Sequence, residues 1–100
     1  MSRVSVAFHR LAAREYRNAR DWYKARSPET ARRFVASIDH AANRISASGD
    51  ALPHLTGEYR YVRVTGFPFV LVFRLVDKDL VMVIAVAHTS RYPGYWRRRR

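Results

Sequence analysis

The chain has 100 residues, no cysteine and a formal net charge of +11 at pH 7, which seventeen arginines and two lysines carry against eight acidic residues. The length predicts one domain over residues 1–100, which ends in a basic tail at 91–100. The lack of cysteine excludes disulfides and thiolate metal ligands and is typical of a cytoplasmic protein. No apolar run reaches the roughly 18 residues of a membrane span, and the arginine surplus favours an anionic partner such as nucleic acid or an acidic protein.

The first half of the chain predicts a strand followed by two helices. Residues 3–8 alternate between apolar and polar side chains, which is typical of a short strand. Apolar residues then recur at three- and four-residue steps from residue 9 to about residue 25, which predicts an amphipathic helix. Ser27 and Pro28 form a helix start, and Gly49 is a plausible end for the second helix. The short connection makes the two helices an antiparallel hairpin.

The second half predicts three strands. Residues 50–58 read as a loop, and strands are expected over 59–65, 67–75 and 80–87, with tight connections between them. The fold class is therefore α+β with the order β-α-α-β-β-β. A helical hairpin would pack on one face of a mostly antiparallel four-stranded sheet.

The last two strands are apolar on both faces. Simple alternation directs one set toward the helices: Phe69, Leu71, Phe73, Leu75, Leu80, Met82, Ile84 and Val86. It directs the other set to the opposite face: Val70, Val72, Arg74, Val81, Val83, Ala85 and Ala87. One helical hairpin covers one face only, so a partner chain, a second copy or the C-terminal tail must cover the second face.

Three stretches, WYKARSPETARRF, YRYVRVTGFPFVLVFRL and VIAVAHTSRYPGYW, resemble the RelE/ParE superfamily of bacterial type II toxins. The resemblance is closer to its ParE branch, whose members are often labelled plasmid stabilisation proteins. Five residues of the C-terminal stretch keep the family's spacing: His88, Arg91, Pro93, Tyr95 and Trp96.

The resemblance implies a growth-inhibiting toxin that an acidic antitoxin, encoded by a neighbouring gene, neutralises in a hetero-oligomer. The basic charge would meet the carboxylates of the antitoxin, and the spare apolar face of the sheet would meet its helix or strand. No membrane partner is expected. The predicted antitoxin-binding residues are Val70, Val72, Arg74, Val81 and Val83.

The resemblance leaves two targets open, because ParE-like members are thought to act on DNA gyrase whereas RelE-like members cleave mRNA on the ribosome. Metal-free RNA cleavage needs a base, an acid and cationic groups at the phosphate. The candidates for those roles are Arg60, His88, Arg91 and Tyr95. In RelE-like nucleases the resemblance places arginines where this chain has Val70 and Thr89. The nuclease set is therefore incomplete, which favours inhibition of gyrase and replication.

No cofactor or metal is expected, since the four histidines have no metal-ligand spacing and no glycine-rich phosphate loop is present. His88 has a structural alternative to catalysis, in which its ring caps the end of the last strand by a hydrogen bond within the tail. A third interpretation of the whole chain, a basic nucleic-acid-binding domain without a toxin role, rests on charge alone.

The C-terminal tail also has two interpretations. The aromatic pair could fold back over the sheet, with Arg91 locking it, or the tail could present a surface to a target. The aromatic turn is predicted to be an ordered continuation of the fold. Because four consecutive arginines have no expected role in packing, they are predicted to extend a basic surface. The predicted target-binding residues are Arg91, Tyr95, Trp96, Arg97, Arg98, Arg99 and Arg100.

Overall fold

The computed structural model describes residues 3–100. In chain order, the elements are strand β1 (Ser5–Phe8), helices α1 (Arg10–Arg26) and α2 (Pro28–Ser48), a 3₁₀ turn (Gly49–Ala51), and strands β2 (His54–Thr56), β3 (Tyr59–Arg63), β4 (Phe69–Asp77) and β5 (Leu80–His88). Within this part of the chain, no helix is both long and apolar enough to cross a membrane.

Local hydrogen bonds fix the start of each helix close to where the sequence predicts it. His9 Nδ1 accepts a bond of 3.0 Å from the backbone N–H of Leu11 at the start of α1. Ser27 Oγ accepts a bond of 3.3 Å from the backbone N–H of Thr30, and Pro28 occupies the first turn of α2. The N–H of the first residue of a helix has no partner within the helix, so proline, which lacks this group, fits at Pro28. Ser27 is then the one residue that connects the two helices. The predicted helical hairpin is confirmed.

The sheet has five strands in the order β1-β5-β4-β3-β2. β1 runs parallel to β5 and the other neighbours are antiparallel. The predicted count of four strands was wrong, because His54–Thr56 forms an additional edge strand inside the segment predicted to be a loop. Its apolar residue, Leu55, stays exposed. Backbone pairing with β3 holds this strand. With a single, exposed apolar residue, its sequence shows no alternating buried side that would predict a strand.

The core on one face of the sheet lies under the two helices. Phe34 from α2 is fully buried at its centre. The centroid of its ring lies 5.2 to 6.0 Å from those of four other rings, which belong to Tyr16, Tyr23, Phe67 and Phe69. Edge-to-face and offset contacts of this kind add stability beyond the area that they bury. This cluster joins both helices to the beginning of β4.

A bulge in β5 changes which residues face the helices. Val72 lies opposite Ala85 but Phe73 lies opposite Val83, so Ile84 is an extra residue in the ladder. As a result, Val81 and Val83 are fully buried in the core under the helices, and Ile84 lies on the opposite face. The predicted faces were wrong for this first part of β5, because alternation assumes an unbroken register. An apolar strand contains no polar residue that would mark the slip.

Candidate functional site in the C-terminal tail

The C-terminal tail covers the second face of the sheet. Trp96 is only 3% exposed and packs in a cluster with Val72, Ile84 and Ala85. Its ring meets that of Tyr59 edge-on, with 4.7 Å between the ring centroids. Of the three covers considered for this face, the chain's own tail is the one that the structure shows, and the predicted order of the aromatic turn is confirmed.

Backbone turns direct the tail back over the sheet after β5. The N–H of Thr89 donates to the carbonyl of Pro68 at 2.9 Å, and the N–H of Arg91 donates to the carbonyl of His88 at 2.9 Å. Gly94 has a φ of +80°, which side-chain-bearing residues rarely adopt, and this allows the chain to reverse. A further turn joins the N–H of Arg99 to the carbonyl of Trp96 at 3.0 Å.

Glu15 on helix α1 pins the tail in place. Its two carboxylate oxygens accept hydrogen bonds from Arg99 Nη1 at 2.8 Å and Arg99 Nη2 at 2.9 Å, and Oε2 also accepts one from the Tyr95 hydroxyl at 2.6 Å. The side chains of Glu15 and Arg99 are only 16% and 13% exposed. A bidentate pair that is shielded in this way is stronger and more specific in geometry than a surface pair. We call these three residues the Glu15 cluster.

The Glu15 cluster also replaces a strand at the edge of the sheet. β1 pairs with β5 only as far as Val83, so the backbone of β5 beyond this point has no neighbouring strand on that side. Glu15 Oε1 accepts a bond of 3.0 Å from the N–H of Val86, and Arg99 Nη1 donates to the carbonyl of Ile84 at 3.1 Å. These bonds satisfy two backbone groups that an edge would otherwise leave open.

The cluster shifts the ionisation of its members. Burial, followed by the hydrogen bond and the negative charge of Glu15, raises the pKa of Tyr95 well above its ordinary value. The hydrogen bond to Glu15 is the main cause that raises the pKa of Arg99. The Tyr95 hydroxyl therefore keeps its proton near neutral pH and donates a hydrogen bond to Glu15.

The four candidates for RNA cleavage do not form one site. Arg60 Nη1 donates to the carbonyl of Leu52 at 2.7 Å. Arg60 lies opposite Phe73, whereas His88 lies opposite Phe69 on the far side of β4. With four residues along the strand and two strand spacings, these backbones are about 16 Å apart.

His88 and Arg91 do lie close together at the end of β5. His88 Nδ1 accepts a bond of 3.1 Å from the backbone N–H of Ser90, and the His88 ring meets the Phe69 ring edge-on at 5.1 Å. This is the strand-end cap expected from the structural interpretation of His88. The Arg91 guanidinium stacks 3.9 Å from the centroid of the Tyr95 ring.

The accessible part of the tail is basic. Of the residues predicted to bind a target, Arg91, Arg97, Arg98 and Arg100 are exposed. Trp96 is buried and the Arg99 side chain is largely buried in the Glu15 cluster, so the expectation that none of the four final arginines packs was wrong for Arg99. The error arose because its partner, Glu15, is 84 residues away in the sequence. Sequence reasoning also missed Tyr92, whose side chain is 80% exposed between these arginines.

Most of the predicted antitoxin-binding residues have no open surface in this structure. Val81 and Val83 are buried under the helices because of the bulge in β5. Val70 and Val72 pack against the tail on the other face, and Arg74 is half-buried opposite Met82. Contact of these residues with an antitoxin stays a prediction. Across residues 3–100, no group of three or more histidine, aspartate or glutamate side chains is placed to hold a metal ion.

The fold and the tail together define a class: a small basic α+β protein with a helical hairpin on a mixed sheet and a folded arginine-rich C-terminus. The family model described as the ParE toxin of the type II toxin-antitoxin system, parDE, matches residues 6–93, so the chain belongs to this family. It is the toxin component of a type II toxin-antitoxin system, and its partner is an antitoxin.

The fold is similar to a solved structure of the chromosomal ParDE toxin-antitoxin system from P. aeruginosa. That match has a TM-score of 0.72 at 19% sequence identity and covers 85% of this chain and 95% of the other. At this identity the likeness supports the fold. Among curated proteins, none matches the chain.

Proposed function

We propose that this toxin acts in the cytoplasm by inhibiting DNA gyrase, and so replication, through the exposed residues of its tail. The observation that carries the proposal is the ordered basic surface of Arg91, Arg97, Arg98 and Arg100, with Tyr92 exposed among them. We call these five residues the tail surface. The buried Trp96 and the Glu15 cluster attach the tail that carries this surface to the rest of the fold.

An ordered guanidinium surface suits a large anionic target. Each arginine offers a planar set of donors that can bind a carboxylate or a phosphate through two parallel bonds. Because backbone turns hold the segment that carries these side chains, less backbone entropy is lost on binding. A complex of gyrase with DNA presents both kinds of anion.

The arrangement of the other polar groups supports inhibition by binding over RNA cleavage. The Tyr95 hydroxyl donates a hydrogen bond to Glu15, His88 Nδ1 accepts one from the N–H of Ser90, and Arg60 donates one to the Leu52 carbonyl about 16 Å from His88. General acid-base catalysis requires such groups within hydrogen-bond reach of a single reacting phosphate. The bonds that these side chains make within the chain support a structural role for them.

The first test measures which synthesis stops first. The toxin is expressed from a tightly controlled promoter, and incorporation of labelled thymidine and methionine is followed over the first minutes. An early fall in DNA synthesis is the expected result, and His88→Ala should remain toxic. An early fall in protein synthesis, abolished by His88→Ala or Tyr95→Phe, would instead identify an RNA-cleaving toxin.

The second test assigns the tail surface. The double variant Arg97→Glu/Arg98→Glu is compared with Arg32→Glu/Arg33→Glu, an adjacent pair of exposed arginines on α2, so both variants change the net charge by the same amount. Inhibition of purified gyrase in a DNA supercoiling assay should weaken at least ~10-fold for the tail variant, since loss of two charged contacts costs on the order of 2 kcal/mol. Equal weakening by both variants would mean that net charge, rather than the tail surface, governs inhibition.

A further inference from the structure

Three exposed arginines lie on one face of helix α1. Arg10, Arg14 and Arg17 are spaced by four and three residues, so their side chains project from the same side of the helix. At a rise of ~1.5 Å per residue, they span about 10 Å along the helix axis. We call these three residues the α1 arginines. Like charges at this spacing destabilise a helix, so the stability of α1 gives no reason for the arrangement.

The Glu15 cluster brings the α1 arginines next to the end of the tail. Arg14 precedes Glu15 in the sequence, and Arg98 and Arg100 flank Arg99. The Glu15 carboxylate and the Arg99 guanidinium are joined by hydrogen bonds of 2.8 and 2.9 Å. Exposed arginines from distant parts of the sequence are therefore brought to the same side of the molecule.

The α1 arginines have no carboxylate partner within residues 3–100. The acidic residues of α1 are Glu15 and Asp21, and residues 91–100 contain none. Glu15 is paired with Arg99, and Asp21 is paired with Arg20 at 3.1 Å. The positive charge of this side of the molecule is therefore available to a ligand.

The surface that carries these arginines has no apolar centre, which favours a nucleic acid over a protein as its ligand. The large apolar side chains that are exposed among residues 3–100 are Trp22, Leu55, Leu75, Val76 and Tyr92, and none of them lies within 10–17 or 97–100. A stable protein interface has an apolar centre that is depleted in charge, whereas interfaces with DNA are polar and strongly positive. Arginine also binds phosphate through two parallel hydrogen bonds.

We propose that the α1 arginines, together with Arg98 and Arg100, bind the phosphate backbone of duplex DNA. Phosphates of one strand follow one another every ~3.4 Å along the duplex axis, so the α1 arginines span about three steps. Contacts to phosphate carry no sequence information, so the binding is independent of sequence. This inference deepens the proposed function and rests on it in naming DNA, the molecule on which gyrase acts.

The salt dependence of DNA binding counts the phosphate contacts. Toxin separated from its antitoxin is titrated into a fluorescently labelled duplex of about 20 base pairs, and the anisotropy gives the association constant at about 50 to 200 mM salt. Each phosphate contact contributes ~−0.9 to the slope of log association constant against log salt concentration. Five contacts therefore predict a slope of about −4.5 for the wild type.

Two double variants provide the comparison. Arg10→Gln/Arg14→Gln should make the slope shallower by about 1.8 and weaken binding at least ~10-fold at about 100 mM salt. Arg32→Gln/Arg33→Gln removes the same charge from exposed positions of α2 close to the connection at Ser27, whereas Arg10 lies at the other end of the helical hairpin. This control should keep the slope within about 0.5 of the wild type. Circular dichroism of each variant checks the fold.

Three results would overturn the proposal. An equal change of slope in both variants would mean that net charge, rather than the α1 arginines, governs binding. Competition by polyglutamate as strong as that by unlabelled duplex at equal charge would assign the surface to an acidic protein. No binding at about 50 mM salt would exclude a DNA site altogether. Because gyrase is absent from this assay, DNA binding can fail while inhibition of gyrase holds, and inhibition can fail while DNA binding holds.

Discussion

Replacing Glu15 by glutamine should destabilise this protein more than removal of any other single charge in α1. The substitution keeps the size of the side chain and removes its charge. In the wild type, the carboxylate accepts four hydrogen bonds, two from Arg99, one from Tyr95 and one from the N–H of Val86. Glutamine has one acceptor oxygen and an NH₂ group that would oppose a donor, so at least two of these bonds are lost.

The magnitude follows from the burial of the pair. Breaking a buried ion pair by removing one partner costs about 3–5 kcal/mol, because the remaining charge stays desolvated. Glu15 and Arg99 keep 16% and 13% of their side chains exposed, so water screens part of the uncompensated charge. We therefore expect Glu15→Gln to lower the free energy of unfolding by about 2–3 kcal/mol.

Asp21→Asn on the same helix is the matched control. Asp21 pairs with Arg20 at 3.1 Å, but these side chains are 63% and 37% exposed. Exposed pairs contribute about 0–1 kcal/mol, so this variant should differ little from the wild type.

Urea unfolding followed by circular dichroism measures both variants. With a slope of about 1–3 kcal/mol per molar, the midpoint of Glu15→Gln should fall by about 1 M or more. The same loss of stability should lower the Tm of Glu15→Gln by on the order of 10 °C. If Glu15→Gln and Asp21→Asn shift the midpoint equally, the Glu15 cluster does not hold the tail and the reasoning fails.

Three further predictions concern the tail. Trp96→Ala should lower the free energy of unfolding by about 3–5 kcal/mol, whereas Tyr92→Ala should change it by less than about 0.5 kcal/mol, because only Trp96 is buried; urea midpoints compare them. The folded state raises the pKa of Tyr95 above the unfolded value of about 10, so its contribution is complete below pH 10 and is lost as pH rises further. The stability difference between wild type and Tyr95→Phe should therefore shrink from pH 8 to pH 11, and a constant difference would contradict the assignment. Gly94→Ala should cost about 1–2 kcal/mol, since Gly94 has a φ of +80° and an added Cβ would meet the Arg97 side chain; an unchanged Tm would show that the turn can relax.

Local signals explain the features that the sequence predicts well. The stripe from Ala31 to Ile45 recurs at helical spacing and is buried in α2, and the cap at Ser27 forms as expected. These features depend on residues within one or two turns of one another, so a single chain displays them. The aromatic turn was also predictable, because Pro93 and Gly94 form a turn beside two large rings that need a cover.

The features that were missed depend on residues that are distant in sequence or on the backbone. Strand β2 has one apolar residue and is held by backbone bonds to β3, so composition does not mark it. The bulge at Ile84 lies in a continuous apolar run, where either register buries an apolar side chain. Glu15 is one acid among the arginines of α1, and only the folded chain brings it to Arg99.

Because the tail covers the second face of the sheet, the fold of the toxin does not depend on the antitoxin at that face. Val72, Ile84 and Ala85 are buried by Trp96 within the chain itself, so their burial does not require an antitoxin. If an antitoxin supplied that cover, its removal would expose a contiguous apolar face, and part of the free energy of folding would be lost at the moment of activation. A toxin that closes its own sheet keeps its fold when the antitoxin leaves. The tail surface stays exposed on this closed fold, so the proposed contact with a target does not require the sheet to open.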